Sequence, residues 1–586
     1  MTLVSTGDAA SVDSPRQEPV ASPRGRRLRR LRRLRRLAPA ASVAAGTALI
    51  GTHGSVYGNW LIDDAAISFA YSRSIAQGLG PVVQAGAEPV EGFSNPTWTV
   101  LLALARLVGL FDRGTLFGVP DYVLLPKALA LLCCAGILAA CYVAAARITR
   151  RPWLATIAVG AILAAIPSFV IWTFSGLENS LYALIVGWQA VLIFRAVLDN
   201  RLLAWQVALS TGVLAALAAL TRPEGLIYAG VYPLVVLGSL RRPLLSQSAR
   251  RILLSTAAFA VPIGGYVAWR YATFGQLLSS PSVAKGQDIP ALEDMARPGE
   301  LVKYAGAPAV LVLVALLGML LAKAPWWRRG LLALLVPLGL ALLAYAVLEP
   351  DWMSQYRFAT PIWVLGALIA TLSAIEVFSR IGRRGRAWLS VGLIAALLPS
   401  AASFTSYAQE FRTKPNISAC YVADRFGRVF NAYADILGLR EASLLIPDLG
   451  GSALTSRLRL IDMAGLTHDR FAEFARDHDK PGQRDYVYGE ARPTFIHIRE
   501  PWSTGTGLAS DPRLERDYHP IHFDIYQGAP HGDWVRKDAV ADDAALARLR
   551  SYARTTTTMV EQSGAAWPRR HCGATLRPGQ TTIPQP

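Results

Sequence analysis

Charged residues are scarce in this chain of 586 residues. Asp, Glu, Lys and Arg make up 17% of it, whereas hydrophobic residues make up 52%. An ordinary soluble enzyme carries charge on about a quarter of its residues, and a disordered chain contains far fewer apolar ones. The composition therefore excludes both classes and predicts a polytopic α-helical membrane protein.

Sequence signatures of zinc and nucleotide binding are also missing. The chain contains no HExxH and no Cys-x-x-Cys, and we interpret His519 and His522 as a pair of surface histidines. It contains no GxxxxGK[ST] loop and no GxGxxG after a predicted strand. We therefore expect no cofactor, and we expect the energy for any reaction to come from an activated substrate.

The five cysteines fall into two groups. Cys133, Cys134 and Cys141 lie in one apolar run, where we interpret them as small apolar fillers. Cys420 and Cys572 lie in the polar C-terminal part of the chain. They form a disulfide if that part faces an oxidising compartment and the two side chains meet, and the sequence leaves both conditions open.

Positive charge is concentrated in the first 405 residues, with 36 Lys and Arg against 19 Asp and Glu. Residues 406–586 carry 23 Lys and Arg against 22 Asp and Glu. The chain therefore lacks the uniformly basic character of a nucleic-acid-binding protein, and we expect no nucleic-acid partner. Nine arginines lie between Arg24 and Arg36, directly before an apolar stretch. We interpret residues 1–36 as a disordered cytoplasmic tail with a basic membrane anchor.

About eleven apolar stretches are long enough, or nearly so, to cross a bilayer. They lie at 37–58, 126–146, 153–174, 178–198, 203–221, 225–240, 252–270, 306–322, 331–348, 359–378 and 387–405. Basic residues fall in alternate connections, which the positive-inside rule assigns to the cytoplasm. This pattern predicts a transmembrane domain over 37–405 with its N-terminus inside the cell.

Two parts of the chain are predicted to lie outside the membrane. The first outer loop spans about 59–125 and contains an interfacial or re-entrant helix at 97–111, which is too short for a span and is interrupted by Arg106. Residues 406–586 are predicted to form an extracytoplasmic α/β domain. Strand-like runs at 445–451, 457–466 and 493–500 and a short helix at 467–476 support it.

Adjacent carboxylates follow the first predicted span, in the run NWLIDDAAISF. Asp63 and Asp64 are costly at a membrane boundary unless they are hydrated, paired or used in chemistry. We interpret both as candidate catalytic residues, one accepting a proton or binding a cation while the other orients it. A solvated helix N-terminus is the alternative interpretation.

Further polar side chains lie at the outer ends of other predicted spans. They are Glu91, Asn95, Glu178, Arg222, Glu224, Lys285, Asp351 and Arg357. Taken singly, each is typical of a loop charge or a helix cap. Together they predict a substrate site for transfer of a group from a lipid phosphate, since cations can hold the phosphate while a carboxylate activates the acceptor.

These motifs resemble the C-fold glycosyltransferases (GT-C). The likeness rests on the run from DDAAISFAYSR to EPVEGFSNPTWT and on SGLENSLYAL, LTRPEG, PSVAKG and DWMSQYRF. It covers residues 58–360, with a looser match to about 580. Within the superfamily the chain is most similar to AftB-type terminal arabinofuranosyltransferases, which act on the arabinan of the mycolic-acid-type bacterial cell wall.

The resemblance implies the GT-C fold and an enzyme of the plasma membrane. Such an enzyme moves a sugar from a polyprenyl phosphate, here suspected to be decaprenylphosphoryl-arabinose, to a cell-wall glycan on the outer side. It implies an essential acid at Asp63 or Asp64, and it favours Arg222, Lys285 and Arg357 as ligands of the lipid phosphate.

Three questions stay open at this point. The sugar is arabinofuranose by resemblance, and mannose or another hexose is the alternative. A lipid-linked-sugar transporter or flippase is the alternative of another class, because intramembrane charges also mark transport pathways. The stereochemical course, inverting or retaining, is also open.

Overall fold

The computed structural model describes residues 23–286, 290–526, 528–564 and 572–584, with side chains from residue 37 onward except at 526 and 529. Within this part the chain is predominantly helical up to Thr413 and mixed α/β beyond it. The helices of the first part are α1 (Pro23–Ser55), α2 (Asp63–Ala76), α3 (Pro96–Leu107), α4 (Asp121–Ala145), α5 (Pro152–Ala165), α6 (Pro167–Thr173), α7 (Asn179–Leu198), α8 (Trp205–Thr221), α9 (Val231–Gly238), α10 (Leu245–Phe274), α11 (Ser280–Lys285), α12 (Pro298–Ala305), α13 (Ala307–Lys323), α14 (Pro325–Val347), α15 (Thr360–Arg380) and α16 (Arg383–Thr413). A small hairpin, β1 (Thr115–Leu116) and β2 (Val119–Pro120), and four 3-10 turns at Pro223–Gly230, Arg242–Leu244, Leu292–Ala296 and Arg357–Ala359 complete it.

Six helices of the described chain are long and apolar enough to cross a membrane. They are Asp121–Ala145, Asn179–Leu198, Arg242–Phe274, Pro325–Val347, Arg357–Arg380 and Arg383–Thr413. The number rises to eight if each of two bent pairs, Pro152–Thr173 and Leu292–Lys323, counts as one span. The predicted spans 37–58, 203–221 and 225–240 are helical but fall outside this set. Small and weakly polar residues lower the hydropathy of 37–58. The spans 203–221 and 225–240 lie in helices that are shorter than a membrane span.

The predicted span at 153–174 is bent in its middle. Helices α5 and α6 meet at an angle of 86°, and the break lies at Ile166 and Pro167. Proline cannot donate a helical hydrogen bond, and it disfavours helical geometry at the residue before it, so Ile166 is extended. The bend turns α6, with its buried Trp172, toward the candidate site.

The arginine-rich segment differs from its prediction. Residues 1–22 of the predicted tail lie outside the described residues, but residues 23–36, predicted to be disordered, form the first turns of α1. Arginine and leucine are both favourable in helices, and this segment consists mainly of the two. The helix predicted at 97–111 is confirmed as α3.

The C-terminal part is a mixed α/β domain, as the sequence predicted. Its five-stranded sheet has the order β4-β3-β5-β7-β6. The strands are β3 (Ser443–Ile446), β4 (Arg459–Asp462), β5 (Phe495–Ile498), β6 (Tyr518–Tyr526) and β7 (Ala529–Arg536). Strands β3, β4 and β5 are parallel, while β6 and β7 form an antiparallel hairpin, absent from our prediction, that continues the sheet from β5.

Short helices cover both faces of this sheet. They are α17 (Ala419–Val422), α18 (Val429–Ile436), α19 (Gly450–Thr455), α20 (Asp469–Arg476), α21 (Lys480–Asp485), α22 (Trp502–Thr506), α23 (Pro512–Asp517), α24 (Asp543–Tyr552) and α25 (Thr558–Ser563). Leu444 and Phe495 pack on one face, and Leu445 and Ile496 pack on the other. This alternation is what a half-buried pleated strand requires when both of its faces are covered.

The last described segment returns to the first loop. Leu576 donates its backbone N–H to Asp112 Oδ1 at 3.0 Å, and Arg577 forms an ion pair with the same carboxylate at 2.8 Å. Cys572, directly before this segment, forms a disulfide with Cys420. The pairing left open by the sequence is therefore present, and it joins two parts of the domain 152 residues apart.

Candidate active site

Helix α2 begins at the two adjacent aspartates, and backbone contacts fix its start. Ile62 is extended and forms an isolated bridge with Ser418, and its N–H donates to the carbonyl of Ser175 at 3.0 Å. Asp63 donates its N–H to the carbonyl of Ile417 at 3.2 Å. Two carboxylates in the first turn are favoured by the positive end of the helix dipole. The aspartates therefore sit where the transmembrane part and the C-terminal domain meet.

Asp63 is occupied by the C-terminal domain. Its Oδ2 accepts the N–H of Gly450 at 3.0 Å, and its Oδ1 accepts the N–H of Gly451 at 2.7 Å. The Asp63 side chain is buried, and burial together with the negative charge of Asp448 raises the pKa of this carboxyl well above its usual value. A Cβ on Gly450 would overlap the Asp63 carbonyl oxygen, so glycine allows this close approach.

Arg73 binds the other end of the same short helix. Its guanidinium donates to the carbonyl of Ala453 at 2.7 Å and to that of Leu454 at 2.9 Å. Because Asp63 takes the first N–H groups of α19 and Arg73 takes its last carbonyls, helix α2 holds α19 at both ends. We call this pair of contacts the α2–α19 clamp.

Asp64 has a different environment. Its side chain is partly exposed, and within the described chain it makes no hydrogen bond and no ion pair. Burial raises the pKa of this carboxyl, and the positive charges of Lys285 and Arg357 oppose that rise. Burial in turn lowers the pKa of Lys285, and the charge of Asp64 opposes that change most strongly. Asp64 is thus a free acid facing two cations.

The predicted residues Asn95, Glu178, Arg222 and Glu224 form one buried chain of contacts. Asn95 donates to Glu178 Oε2 at 2.6 Å, and Arg222 forms an ion pair with Glu178 Oε1 at 2.7 Å. Arg222 also pairs with Glu224. Because its Nε and Nη1 are engaged by two carboxylates, Arg222 ties the layer together and has less capacity left for a phosphate than the prediction implied.

Asp351 and Arg357 form a second pair, with 2.8 Å between Arg357 Nε and Asp351 Oδ2. The guanidinium of Arg357 lies 5.0 Å from the centroid of the Phe358 ring, and that of Arg222 lies 5.1 Å from the same centroid. Phe358 therefore separates the two arginines while each gains a cation–π contact. Lys285, by contrast, makes no hydrogen bond or ion pair to any described residue.

Glu91 lies apart from this layer. Its carboxylate pairs with Arg270 of α10, and it accepts the hydroxyl of Tyr266 at 2.5 Å. The backbone carbonyl of Glu91 also accepts the N–H of Ser280, at the start of α11. Glu91 thus supports the helix that carries Lys285, and the structure does not bring it into contact with Arg222 or Arg357.

The C-terminal domain contributes a charged pair that we did not predict. Arg499 donates two hydrogen bonds of 2.6 Å to Asp448, and the negative charge of Asp448 acts on both Asp63 and Asp64. The run LIPDLGG contains Asp448 together with the two glycines of the clamp. An acid and a Gly-Gly pair directly after a strand were the available signal for this site.

No protein-family model and no curated protein matches the sequence of this chain. Its fold matches that of ArnT from Cupriavidus metallidurans, solved bound to undecaprenyl phosphate, with a TM-score of 0.50 and 12% identity over 86% of this chain and 99% of that one. It also matches an oligosaccharyltransferase from Archaeoglobus fulgidus, solved in complex with Zn and sulfate, with a TM-score of 0.50 and 11% identity over 85% of this chain and 73% of that one. The chain therefore has the GT-C fold of polytopic membrane proteins that carry a C-terminal soluble domain.

Proposed function

We propose that this protein is a membrane glycosyltransferase that moves arabinofuranose from a polyprenyl phosphate to the arabinan of a cell-wall glycan. The observation that carries the proposal is the state of Asp64, a partly exposed acid without a hydrogen-bond partner in the described chain that faces Lys285 and Arg357. The ArnT structure with the same fold holds undecaprenyl phosphate, which supports a polyprenyl phosphate as donor carrier. The sugar and the acceptor rest on the resemblance of the motifs.

In the proposed reaction the donor phosphate lies against Lys285 and Arg357. Asp64 accepts the proton of the acceptor hydroxyl as its oxygen attacks the anomeric carbon. The bond from that carbon to the phosphate oxygen breaks, and the polyprenyl phosphate leaves with the electron pair, stabilised by the two cations. A single displacement of this kind inverts the anomeric centre, and a retained configuration would require a covalent intermediate or attack on the face of departure.

Asp63 has a positioning role in this scheme. Both oxygens of its carboxylate accept backbone N–H groups of the C-terminal domain, so we assign the base to Asp64 and the positioning of that domain to Asp63. We place the site and residues 406–586 on the outer side of the plasma membrane and the N-terminus in the cytoplasm. The Cys420–Cys572 disulfide supports this orientation, since disulfides persist in oxidising compartments.

The test is transfer of radiolabelled arabinose from a polyprenyl phosphate to a synthetic arabinan oligosaccharide by purified protein, with linkage analysis of the product. Asp64→Asn should abolish transfer, and the matched control Asp199→Asn should retain it. Asp199 lies away from the site, in ion pairs with Arg147 and Arg195. Wild-type rates in folded Asp64→Asn protein would refute the catalytic assignment.

The same assay with mannosyl and other hexosyl polyprenyl phosphates tests the sugar. Transfer from a hexose donor but not from the arabinose donor would show that the proposed sugar is wrong and that the proposed type of reaction is right. Failure of folded protein to transfer from any of these donors would overturn the proposal in favour of transport of a lipid-linked sugar.

A further inference from the structure

A cavity of about 440 Å³ opens on one side of the Asp351–Arg357 pair. The segment 350–358 forms one wall, and α12, α14 and α16 contribute side chains to the rest. Its size lies in the range of small-molecule sites, about 300–1,000 Å³. Because Arg357 borders the cavity and also faces Asp64, a ligand bound there would lie beside the proposed reaction centre.

The wall at 350–358 has an unusual backbone. Gln355 and Tyr356 are consecutive residues with φ of 68° and 53°, a left-handed conformation that is unfavourable for side chains other than glycine. Buried contacts maintain it, among them a hydrogen bond of 2.9 Å from Trp172 Nε1 to the carbonyl of Gln355. Strain of this kind persists where the surroundings enforce it and clusters at binding sites.

Gln355 also leaves a buried acceptor without a partner. The residue is 7% exposed and lines the cavity, and its Nε2 donates weakly, at 3.4 Å, to the carbonyl of Tyr407. Its Oε1 is buried and accepts no hydrogen bond from any described residue. An unsatisfied buried carbonyl is costly, and a turn of the Gln355 amide toward the cavity would let a hydroxyl group of a ligand satisfy it.

The other lining groups combine aromatic rings with carboxylates. Tyr345, Tyr356 and Tyr407 line the cavity, and Trp352 lines it with 58% of its surface exposed. Carboxylates are present as well, in the side chains of Glu300, Asp351 and Glu410. Aromatic faces suit the apolar C–H face of a sugar ring, while carboxylates accept hydrogen bonds from its hydroxyl groups.

The charge of the cavity argues against an anionic ligand. Its three carboxylates face two arginines, Arg297 and Arg357, of which Arg357 already pairs with Asp351. Arg297 donates to the carbonyls of Ala346 and Leu348. The formal charge of the lining is therefore negative, which disfavours an anionic ligand inside the cavity.

We propose that this cavity binds a neutral glycosyl unit, stacked on Trp352 and hydrogen-bonded to Gln355. The proposal rests on the proposed function for its role, because the unit would be either the terminal sugar of the acceptor or the sugar of the donor. The two sources share the same chemistry, and the experiment separates them.

The test compares wild-type protein with Trp352→Ala and Gln355→Leu. Trp388→Ala is the matched control, because Trp388 is 76% exposed near the opposite end of α16. The binding of three probes, each added alone so that no transfer occurs, is titrated calorimetrically in detergent. The probes are a synthetic arabinofuranosyl oligosaccharide, polyprenyl phosphate, and polyprenyl phosphate that carries arabinose. We expect Trp352→Ala to weaken one sugar-bearing probe about tenfold, which corresponds to about 1.4 kcal/mol, and Trp388→Ala to change neither.

Weaker binding of the oligosaccharide alone supports an acceptor subsite. Weaker binding of the arabinose-bearing lipid, with unchanged binding of the bare lipid phosphate, supports a donor-sugar subsite. Equal affinities of wild type and both cavity variants for every probe would overturn the inference. The titrations need no turnover, so the two proposals can fail separately. If the protein binds a sugar through Trp352 but transfers none, the proposed function is refuted and the sugar site stands. If transfer occurs and does not depend on Trp352, the sugar site is refuted and the proposed function stands.

Discussion

The carboxylate of Asp63 accepts the backbone N–H groups of Gly450 and Gly451, which lie 387 and 388 residues later in the chain. Its neighbour Asp64 makes no such contact in the described chain and faces Lys285. Two adjacent residues of the same type thus have different environments. One holds the C-terminal domain on helix α2, and the other is the acid that we propose acts on the substrate.

Loss of the Asp63 carboxylate should reduce stability. Asp63→Ala removes two hydrogen bonds to a charged acceptor and leaves two buried N–H groups unpaired, so we expect the free energy of unfolding to fall by about 2–5 kcal/mol. Thermal unfolding in detergent and limited proteolysis between the two domains measure the change. Asp64→Asn should leave both readouts at wild-type values, and equal destabilisation by the two variants would contradict the distinction drawn here.

Arg73 should matter for activity although it lies about two and a half helical turns from Asp64 along α2. Arg73→Gln removes the contacts to the carbonyls of Ala453 and Leu454, so we expect kcat to fall at least tenfold while the KM for the lipid donor changes little. Steady-state kinetics of the folded variant measure this. The control is Arg113→Gln, an exposed arginine of the first loop, and a similar loss of kcat there would argue against the clamp.

The pH range over which the protein transfers sugar should be narrower than an ordinary aspartate and an ordinary lysine would allow. Burial raises the pKa of Asp64 above 3.8. On acidification the proposed base therefore takes up a proton, and the rate falls, at a higher pH than an ordinary aspartate would give. Burial lowers the pKa of Lys285 below 10.5. This lysine, which we propose binds the donor phosphate, therefore loses its charge at a lower pH than an ordinary lysine does. Measurement of kcat/KM from pH 4 to 11 gives both limbs, which belong to the coupled pair.

Lys285→Arg separates these two limbs. Arginine stays protonated through this range, so the alkaline limb should move to higher pH while the acid limb stays in place. An unchanged alkaline limb in the variant would show that another group sets it.

Reduction of the disulfide should destabilise the C-terminal domain. We expect the Cys420→Ser/Cys572→Ser variant to lose about 2–5 kcal/mol of unfolding free energy, because the bond restrains a loop of 152 residues in the unfolded chain. Thermal unfolding with and without reductant measures it. Reductant should lower the stability of wild type and leave the double variant unchanged.

Hydropathy predicted where the helices lie, because apolar runs of span length have one main explanation in a charge-poor chain. It did not predict the bend at Pro167 within 153–174 or the helical start at Pro23, which depend on local backbone preferences. Charge and position also placed Asn95, Glu178, Arg222 and Glu224 in one layer, and the structure shows these four residues in contact. Their role in binding substrate stays a prediction.

The division of roles between Asp63 and Asp64 was beyond sequence reasoning. It depends on the contact between α2 and α19, whose members are hundreds of residues apart and carry no mutual signature. The Asp448–Arg499 pair was missed because it lies in a domain where acids and bases are equally common. Glu91 was predicted as a substrate-site residue, and nothing in its local sequence indicates that its carboxylate pairs with Arg270.

Asp63 and Gly450 of the α2–α19 clamp are far apart in sequence, so their contact can form only late in biosynthesis. A ribosome adding about 5–20 residues per second needs roughly 20–80 s to reach Gly450 after Asp63 has emerged. During that interval the helical part can enter the membrane, but the carboxylate of Asp63 has no backbone amides to bind and the first turn of α2 is not yet fixed. The contact between Asp63 and α19 therefore forms only after the C-terminal domain has been synthesised and folded.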